Sequence, residues 1–201
     1  MKVQAGTSTA LGRVAILLLL SLLFFFVNLG DYSLKEPDEG RYAEIPREMV
    51  ESGDWVVPYF NYTRYFEKPP FLYWATALSF KLFGLNEWAF RFPNALCALL
   101  TVLLVYFAGR RLFSEETGFI SAIVLCSSFS FLAMARIVTL DMCFAFLLFL
   151  SLCSCALYFR QGGRRYLIVF YLSLACATLT KGPVAVVLVG ATVFLYSLTE
   201  R

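Results

Sequence analysis

The sequence predicts an all-α integral membrane protein, a multi-span helical bundle whose first loop outside the cytoplasm is itself helical. The 201 residues are 60% hydrophobic and only 15% charged, with a mean hydropathy of +0.71. A soluble domain is typically about 45–50% apolar and about 25% charged. The apolar residues fall into runs near the length of a membrane span, and much of the charge gathers in one loop, roughly 31–70.

Each long apolar run is predicted to cross the membrane as a helix, because a bilayer core takes about 20 apolar residues per helix. The runs cover roughly 13–30, 92–109, 118–135, 142–159, 166–180 and 184–198. No small-residue cleavage site follows the first run, which we therefore interpret as an uncleaved anchor and not as a signal peptide.

Basic residues predict the orientation, because loops rich in Lys and Arg stay in the cytoplasm. We expect the following there: Lys2, Arg13, Arg110, Arg111, Arg160, Arg164 and Arg165. The loop over 31–91, the turn over 136–141 and Lys181 then lie on the outer side. All the charged groups that suggest chemistry thus share one face of the membrane.

Composition also excludes several kinds of function. The net charge of +3 comes from clusters that flank apolar runs, so it reports topology and not nucleic-acid binding. The chain contains no His, which excludes a His base or a His metal ligand within it. The six Cys lie inside apolar runs, where Cys behaves as a small hydrophobic residue, so they do not indicate the redox compartment.

Two helices are predicted within the outer loop. Apolar residues recur at helical spacing over 39–51, and Asp38 is predicted to cap this helix because Asp is a favoured N-cap. The stretch over 71–84 is apolar but contains Lys81, so we predict an interfacial helix and not a span.

Asp38 lies in the motif PDEGRYAEIPREM and has two interpretations. It could serve only as a helix cap, or its carboxylate could bind or deprotonate a substrate hydroxyl. The positive end of the helix favours the ionised form in either case. Arg41, about one helical turn later, could join a phosphate site or contact a lipid headgroup.

Glu67 and Lys68 form the centre of a second motif, YFEKPP. Lys is a compact charge that suits a phosphate. Glu67 could hold that Lys, orient a sugar hydroxyl or bind a metal ion. The alternative is a solvated pair of surface charges, which is the commoner case.

Asp141 and Lys181 are charges at the ends of apolar runs. An acid at the end of a span is costly unless it lies at the surface or is paired, and Arg136 is the predicted partner of Asp141. Lys181 stands in LTKGP between two apolar runs, and its alternative role is headgroup anchoring.

The motifs PDEGRYAEIPREM, SGDWVVP and YFEKPP, with LD at the fourth span and TKG after the fifth, resemble a known family. They are similar to membrane glycosyltransferases related to protein O-mannosyltransferases, and most of all to the aminoarabinose transferase branch that modifies lipid A. The resemblance covers essentially the whole chain. It implies a GT-C type fold, a polyprenyl-phosphate sugar donor and transfer with inversion at the outer face of a bacterial inner membrane.

The resemblance also implies roles for particular residues. Asp38 matches the catalytic carboxylate and Asp141 the second acid. The donor phosphate is expected near Lys68, Arg41, Tyr42 and Lys181. Glu67 and Glu39 are expected near the substrate or a divalent metal, but no cofactor is certain because the His of that metal site is missing from this chain.

The expected function is therefore transfer of a sugar to a glycolipid or protein acceptor, with membrane lipids as further partners and no nucleic acid. The alternative is a non-catalytic polyprenyl-phosphate carrier, flippase or scaffold subunit, which would need the cations but no base. Members of this family are longer, so we expect these 201 residues to be the N-terminal part of the transmembrane domain, without the later spans and the soluble domain.

Overall fold

The computed structural model describes residues 3–35 and 37–199, with side chains from Ala10 onward. Lys2, Glu36 and Arg201 lie outside the described residues. The helices are α1 (Val3–Ser21), α2 (Asp38–Ser52), α3 (Phe71–Phe83), α4 (Glu87–Leu112), α5 (Glu115–Ser127), α6 (Phe129–Arg136), α7 (Leu140–Gln161), α8 (Arg164–Lys181) and α9 (Val184–Thr199). A π-helical turn, Leu22–Phe26, continues α1, and a short hairpin of β1 (Tyr59–Phe60) and β2 (Thr63–Arg64) stands between α2 and α3.

Helix α2 forms where the apolar spacing predicts a helix, and it buries Tyr42, Ile45 and Met49 against α3. It ends at Gly53, whose φ of 74° is left-handed and therefore suits Gly. The prediction that Asp38 caps this helix is wrong. Pro37 occupies the cap position, no side chain accepts a capping bond there, and Asp38 is the first helical residue.

The hairpin is attached to α2 through a buried carboxylate. Asn61 and Tyr62 form its turn with φ of 52° and 59°, the positive values that a two-residue hairpin turn requires. The backbone N–H of Tyr62 donates to both oxygens of Glu48 at 3.2 Å. This contact fixes the loop that leads to Glu67 and Lys68.

Two of the described helices, α4 and α7, are each long and apolar enough to cross a membrane, and the bent pair α5 and α6 can form a third span. The third predicted span is thus not one straight helix, because the chain bends by 64° at Ser128. The Oγ of Ser127 donates to the carbonyl oxygens of Ile123 and Val124, and such bonds often bend helices. The count of six spans stays a prediction.

Helix α4 is the central element, in contact with α1, α3, α5, α6 and α7. Its approach to α5 is close because two glycines face each other: a Cβ added to Gly109 would lie 2.6 Å from the Cα of Gly118. Helices α7 and α8 pack as a second antiparallel pair. We call the end of the bundle that carries α2, α3 and the hairpin the loop end.

Candidate active site

The predicted site residues other than Glu39 come together at the loop end of the bundle. Asp141 lies in the first turn of α7, a helix that the side chain of Thr139 caps. Lys181 is the last residue of α8, so the antiparallel packing of these helices brings the two side chains together. The Nζ of Lys181 donates to Asp141 Oδ1.

The predicted pairing of Asp141 with Arg136 is therefore wrong. Arg136 ends α6, and the extended residues between it and α7 direct its guanidinium towards the end of α1. It donates to the carbonyl oxygens of Phe24, Val27 and Asn28 at 3.0, 2.9 and 3.0 Å. These bonds satisfy carbonyl groups at the irregular end of the first helix.

Arg41 lies between two carboxylates of the site. Its Nη2 donates to Asp38 Oδ1 at 2.8 Å, and its Nη1 lies 3.5 Å from Glu67 Oε2. Burial lowers the pKa of Arg41, but four neighbours raise it to a net value above the ordinary one: Tyr65, Tyr42, Asp38 and Glu67. The site thus holds a permanent cation, with Asp38 and Glu67 as its exposed counterions.

A group of packed aromatic rings lies beneath the side chain of Arg41. Its guanidinium carbon lies 5.3 Å from the centre of the Tyr42 ring, and Tyr42 packs beside the buried Tyr73. Burial raises the pKa of Tyr42, and the negative charges of Asp38 and Asp141 raise it further against the effect of Arg41. Tyr42 therefore lies in the field of both candidate acids.

Tyr65 connects Glu67 to the same group of aromatic rings. Its hydroxyl donates to Glu67 Oε2 at 2.7 Å, and its ring meets that of Tyr73 edge-on with centres 6.4 Å apart. Burial and the bond to Glu67 raise the pKa of Tyr65 to about 12. The phenol is therefore a hydrogen-bond donor over the whole physiological pH range.

Lys68 and Lys181 line one cavity of about 510 Å³ next to these groups. Its walls come from the YFEKPP loop, from the loop before the hairpin and from the end of α8: Val56, Pro58, Phe66, Glu67, Pro69, Pro70, Gly182 and Pro183. The cavity combines two amines with apolar walls, which suits a phosphate attached to a hydrocarbon.

Glu39 is not part of this surface, which overturns its predicted place near the substrate or a metal. Its side chain is completely buried and forms an ion pair with the equally buried Arg91 of α4. Burial raises the pKa of Glu39, but its hydrogen-bond donors outweigh that effect and leave the net pKa below the ordinary value. Sequence reasoning missed Arg91, although an Arg at the head of an apolar run signals a buried partner.

The described residues do not fit a divalent metal. In residues 3–35 and 37–199, no three His, Cys, Asp or Glu side chains gather closely enough to hold one. Glu67, the predicted ligand, accepts a bond from Tyr65 and faces the cation of Arg41, which would repel a metal ion.

The model of a known protein family matches residues 67–201, about two thirds of the sequence. The description of that family is dolichyl-phosphate-mannose-protein mannosyltransferase. The chain belongs to this family. The resemblance that the motifs indicate is thereby confirmed.

Named relatives and solved structures are similar to this protein over almost the whole chain. An undecaprenyl phosphate-α-4-amino-4-deoxy-L-arabinose arabinosyl transferase of Pseudomonas fluorescens is 38% identical over 98% of this chain and 35% of its own. The crystal structure of ArnT from Cupriavidus metallidurans in the apo state superposes with a TM-score of 0.89 at 35% identity, over 96% of this chain and 37% of that one. Its complex with undecaprenyl phosphate gives the same TM-score over 94% of this chain and 36% of that one.

The chain thus spans about a third of the length of the relatives that it matches. Its fold is the GT-C type helical bundle of an integral membrane protein, as the sequence predicts.

Proposed function

We propose that the protein is a glycosyltransferase that moves a sugar from a polyprenyl-phosphate donor to a glycolipid or protein acceptor. The observation that carries this proposal is the meeting of two acids, Asp38 and Asp141, with three cations, Arg41, Lys68 and Lys181, beside an apolar cavity at the loop end. The names of the relatives support it, because those proteins are arabinosyl transferases for undecaprenyl-phosphate sugars and ArnT has been crystallised with undecaprenyl phosphate.

The cations of the site bind the donor phosphate in this proposal. When the anomeric carbon–oxygen bond breaks, its electron pair leaves with the polyprenyl phosphate, and negative charge grows on that group. Lys68 and Lys181 line the same cavity and meet this charge, and Arg41 lies beside Glu67 in the wall of that cavity. Fixed cations placed where negative charge develops are an effective way to stabilise such a transition state.

The two acids have different roles around the reacting carbon. Asp38 takes the proton of the acceptor or positions the acceptor oxygen, which attacks the anomeric carbon opposite the leaving phosphate and inverts its configuration. Asp141 assists by holding Lys181. The partly exposed ring of Tyr65 offers an apolar face on which a sugar can stack.

The location follows from the charges at the two ends of the bundle. The basic residues Arg110, Arg111 and Arg160 lie at the end opposite the site, and the positive-inside rule favours the cytoplasm for that end. We propose the inner membrane of a bacterium, with the site on the periplasmic side and a lipid A-like glycolipid as the favoured acceptor.

The first test is transfer from a synthetic polyprenyl-phosphate sugar in membranes that contain the natural protein. Asp38→Asn should lower the rate about 10²- to 10⁴-fold, the usual contribution of a positioned acid–base group. Glu51→Gln is the matched control, since Glu51 lies in the same helix, pairs with Arg47 at 2.7 Å and has the same 57% side-chain exposure as Asp38.

Full activity of Asp38→Asn would remove Asp38 from the mechanism. Binding of undecaprenyl phosphate by the wild type without transfer from any donor would favour the non-catalytic carrier, because such a protein needs the cations and no base.

A further inference from the structure

A cluster of buried polar residues near the site has no role in the proposed transfer reaction. Glu39, Arg91 and Asn94 are each 0% exposed. A buried charge or amide is costly unless it is hydrogen-bonded, so its partners show what it holds in place. Asn94 is bonded through its Nδ2, while its Oδ1 has no partner among the described residues. Their partners lie on the segments that lead to the two candidate acids.

Glu39 joins helix α2 to the segment before α7. Its Oε1 accepts from the backbone N–H of Val138 at 3.0 Å, and its Oε2 accepts from the backbone N–H of Lys35 at 2.9 Å. Glu39 directly follows Asp38, and Val138 lies three residues before Asp141. One carboxylate therefore connects the backbones that carry both acids.

Arg91 fixes this carboxylate to the central helix α4. Its Nε and Nη2 donate to Glu39 at 3.2 and 2.9 Å. The same guanidinium donates to the carbonyl oxygens of Leu29, Tyr32 and Ser33 and lies 3.8 Å from the centre of the Tyr32 ring. Arg91 thus fixes both the Glu39 carboxylate and the first residues of the outer loop.

Asn94, one turn along α4 from Arg91, holds the other side of the segment before α7. Its Nδ2 contacts the carbonyl oxygens of Met134, Ala135 and Ile137 at 2.7, 3.1 and 3.2 Å. The hydroxyl of Tyr32 donates to the carbonyl oxygen of Arg136 at 2.8 Å. Each backbone unit from 134 to 138 therefore has a side-chain partner.

We propose that Glu39, Arg91 and Asn94 are positioning residues that fix the separation of the Asp38 and Asp141 carboxylates. The inference rests on the proposed transfer reaction. It assigns these residues a larger effect on the chemical step than on donor binding, because Lys68 and Lys181, which line the donor cavity, are carried by other segments. A misplacement of about 1 Å in a reacting group can cost about 10²-fold in rate.

The test uses the double variant Glu39→Leu/Arg91→Leu of the natural protein. Replacing both members of a buried ion pair by apolar residues is often neutral for folding, whereas removing one member leaves an unpaired charge. We expect normal insertion, faster amide hydrogen exchange over 134–141 and a kcat lower by about 10²-fold. The KM for a synthetic polyprenyl-phosphate sugar and the Kd for undecaprenyl phosphate should change far less than kcat, because the variant replaces none of Arg41, Lys68 and Lys181.

The matched control is Glu44→Leu/Arg47→Leu. This pair lies in the same helix α2, with its guanidinium 2.7 Å from the carboxylate, and it has no bond to the 134–138 segment. Its exchange over 134–141 and its kcat should equal those of the wild type.

Asn94→Leu is the second test, because it releases the 134–138 segment and leaves the ion pair intact. It should show the same pattern of faster exchange and lower kcat. An unchanged kcat in the folded variants, or an equal effect on KM and Kd, would overturn the positioning role. Failure of both variants to fold would also overturn it, since the network would then serve folding alone.

A wild type without transfer activity would contradict the proposed function instead. The exchange measurement does not depend on activity, so the two failures can be told apart.

Discussion

At the scale of single residues, burial separates the groups that hold the structure from those available to a substrate. Glu39 and Asp38 are neighbours in sequence, but the first is fully buried with Arg91 and the second is 57% exposed beside Arg41. The motif alone predicts an important acidic pair. It does not reveal which carboxylate turns inward, because that depends on Arg91, 52 residues later in the chain.

Lys68→Ala tests the role of a cavity lysine. Loss of one charged hydrogen bond to the donor phosphate should raise the KM for the donor about 10- to 100-fold. Arg64→Ala, which removes a cation from the exposed hairpin strand, is the control and should leave this KM unchanged. Equal effects of the two variants would show a general influence of positive charge and no specific contact.

Tyr65→Phe should change how stability depends on pH. Burial and Glu67 raise the pKa of Tyr65 from 10 to about 12, so its contribution to stability is complete below pH 10 and is lost as the pH rises through about 12. The difference in thermal midpoint between wild type and Tyr65→Phe should therefore shrink across this interval. Midpoints that stay a constant distance apart from pH 9 to pH 12 would contradict the shifted pKa.

At the scale of elements, apolar spacing predicts where helices form better than it predicts their bends. Helices α2 and α3 lie close to the predicted 39–51 and 71–84. The break at Ser128 was not predicted, since hydropathy runs without interruption through it and the bend depends on hydroxyl bonds to the backbone. The pairing of Lys181 with Asp141 likewise depends on how α8 packs against α7, which the charges alone did not indicate.

Gly118→Ala tests the close approach of α4 and α5. A Cβ at Gly118 would lie 2.6 Å from the backbone N of Arg110 and 2.6 Å from the carbonyl oxygen of Tyr106, so the helices would have to separate. Overpacking of this kind typically costs about 1–3 kcal/mol, which a lower thermal midpoint in detergent would report.

Gly12→Ala is the control within helix α1. A Cβ there meets nothing within 4 Å, so the substitution should be neutral or stabilise the helix by up to about 1 kcal/mol. Equal midpoints for the two variants would contradict the packing argument.

At the scale of the whole molecule, the antiparallel helices place the charged groups of the site at one end of the bundle and a group of arginines at the other. The acids and lysines of the site gather at the loop end, where α2, α7 and α8 meet. At the other end Arg111 donates to the hydroxyl of Tyr166, and Arg160 donates to the carbonyl oxygen of Leu112. In the orientation that we propose from the positive-inside rule, the site faces away from the cytoplasm.

Single cysteines at the two ends test that orientation. Val56 at the loop end and Phe113 at the other end are 82% and 75% exposed, so a thiol at either position can react. In intact spheroplasts a membrane-impermeant maleimide should label Val56→Cys and leave Phe113→Cys unlabelled until the membrane is broken. The wild type is the blank, since its six cysteines are buried or only partly exposed. The reverse pattern would place the site in the cytoplasm, where its acids and cations could not act on an acceptor at the outer face.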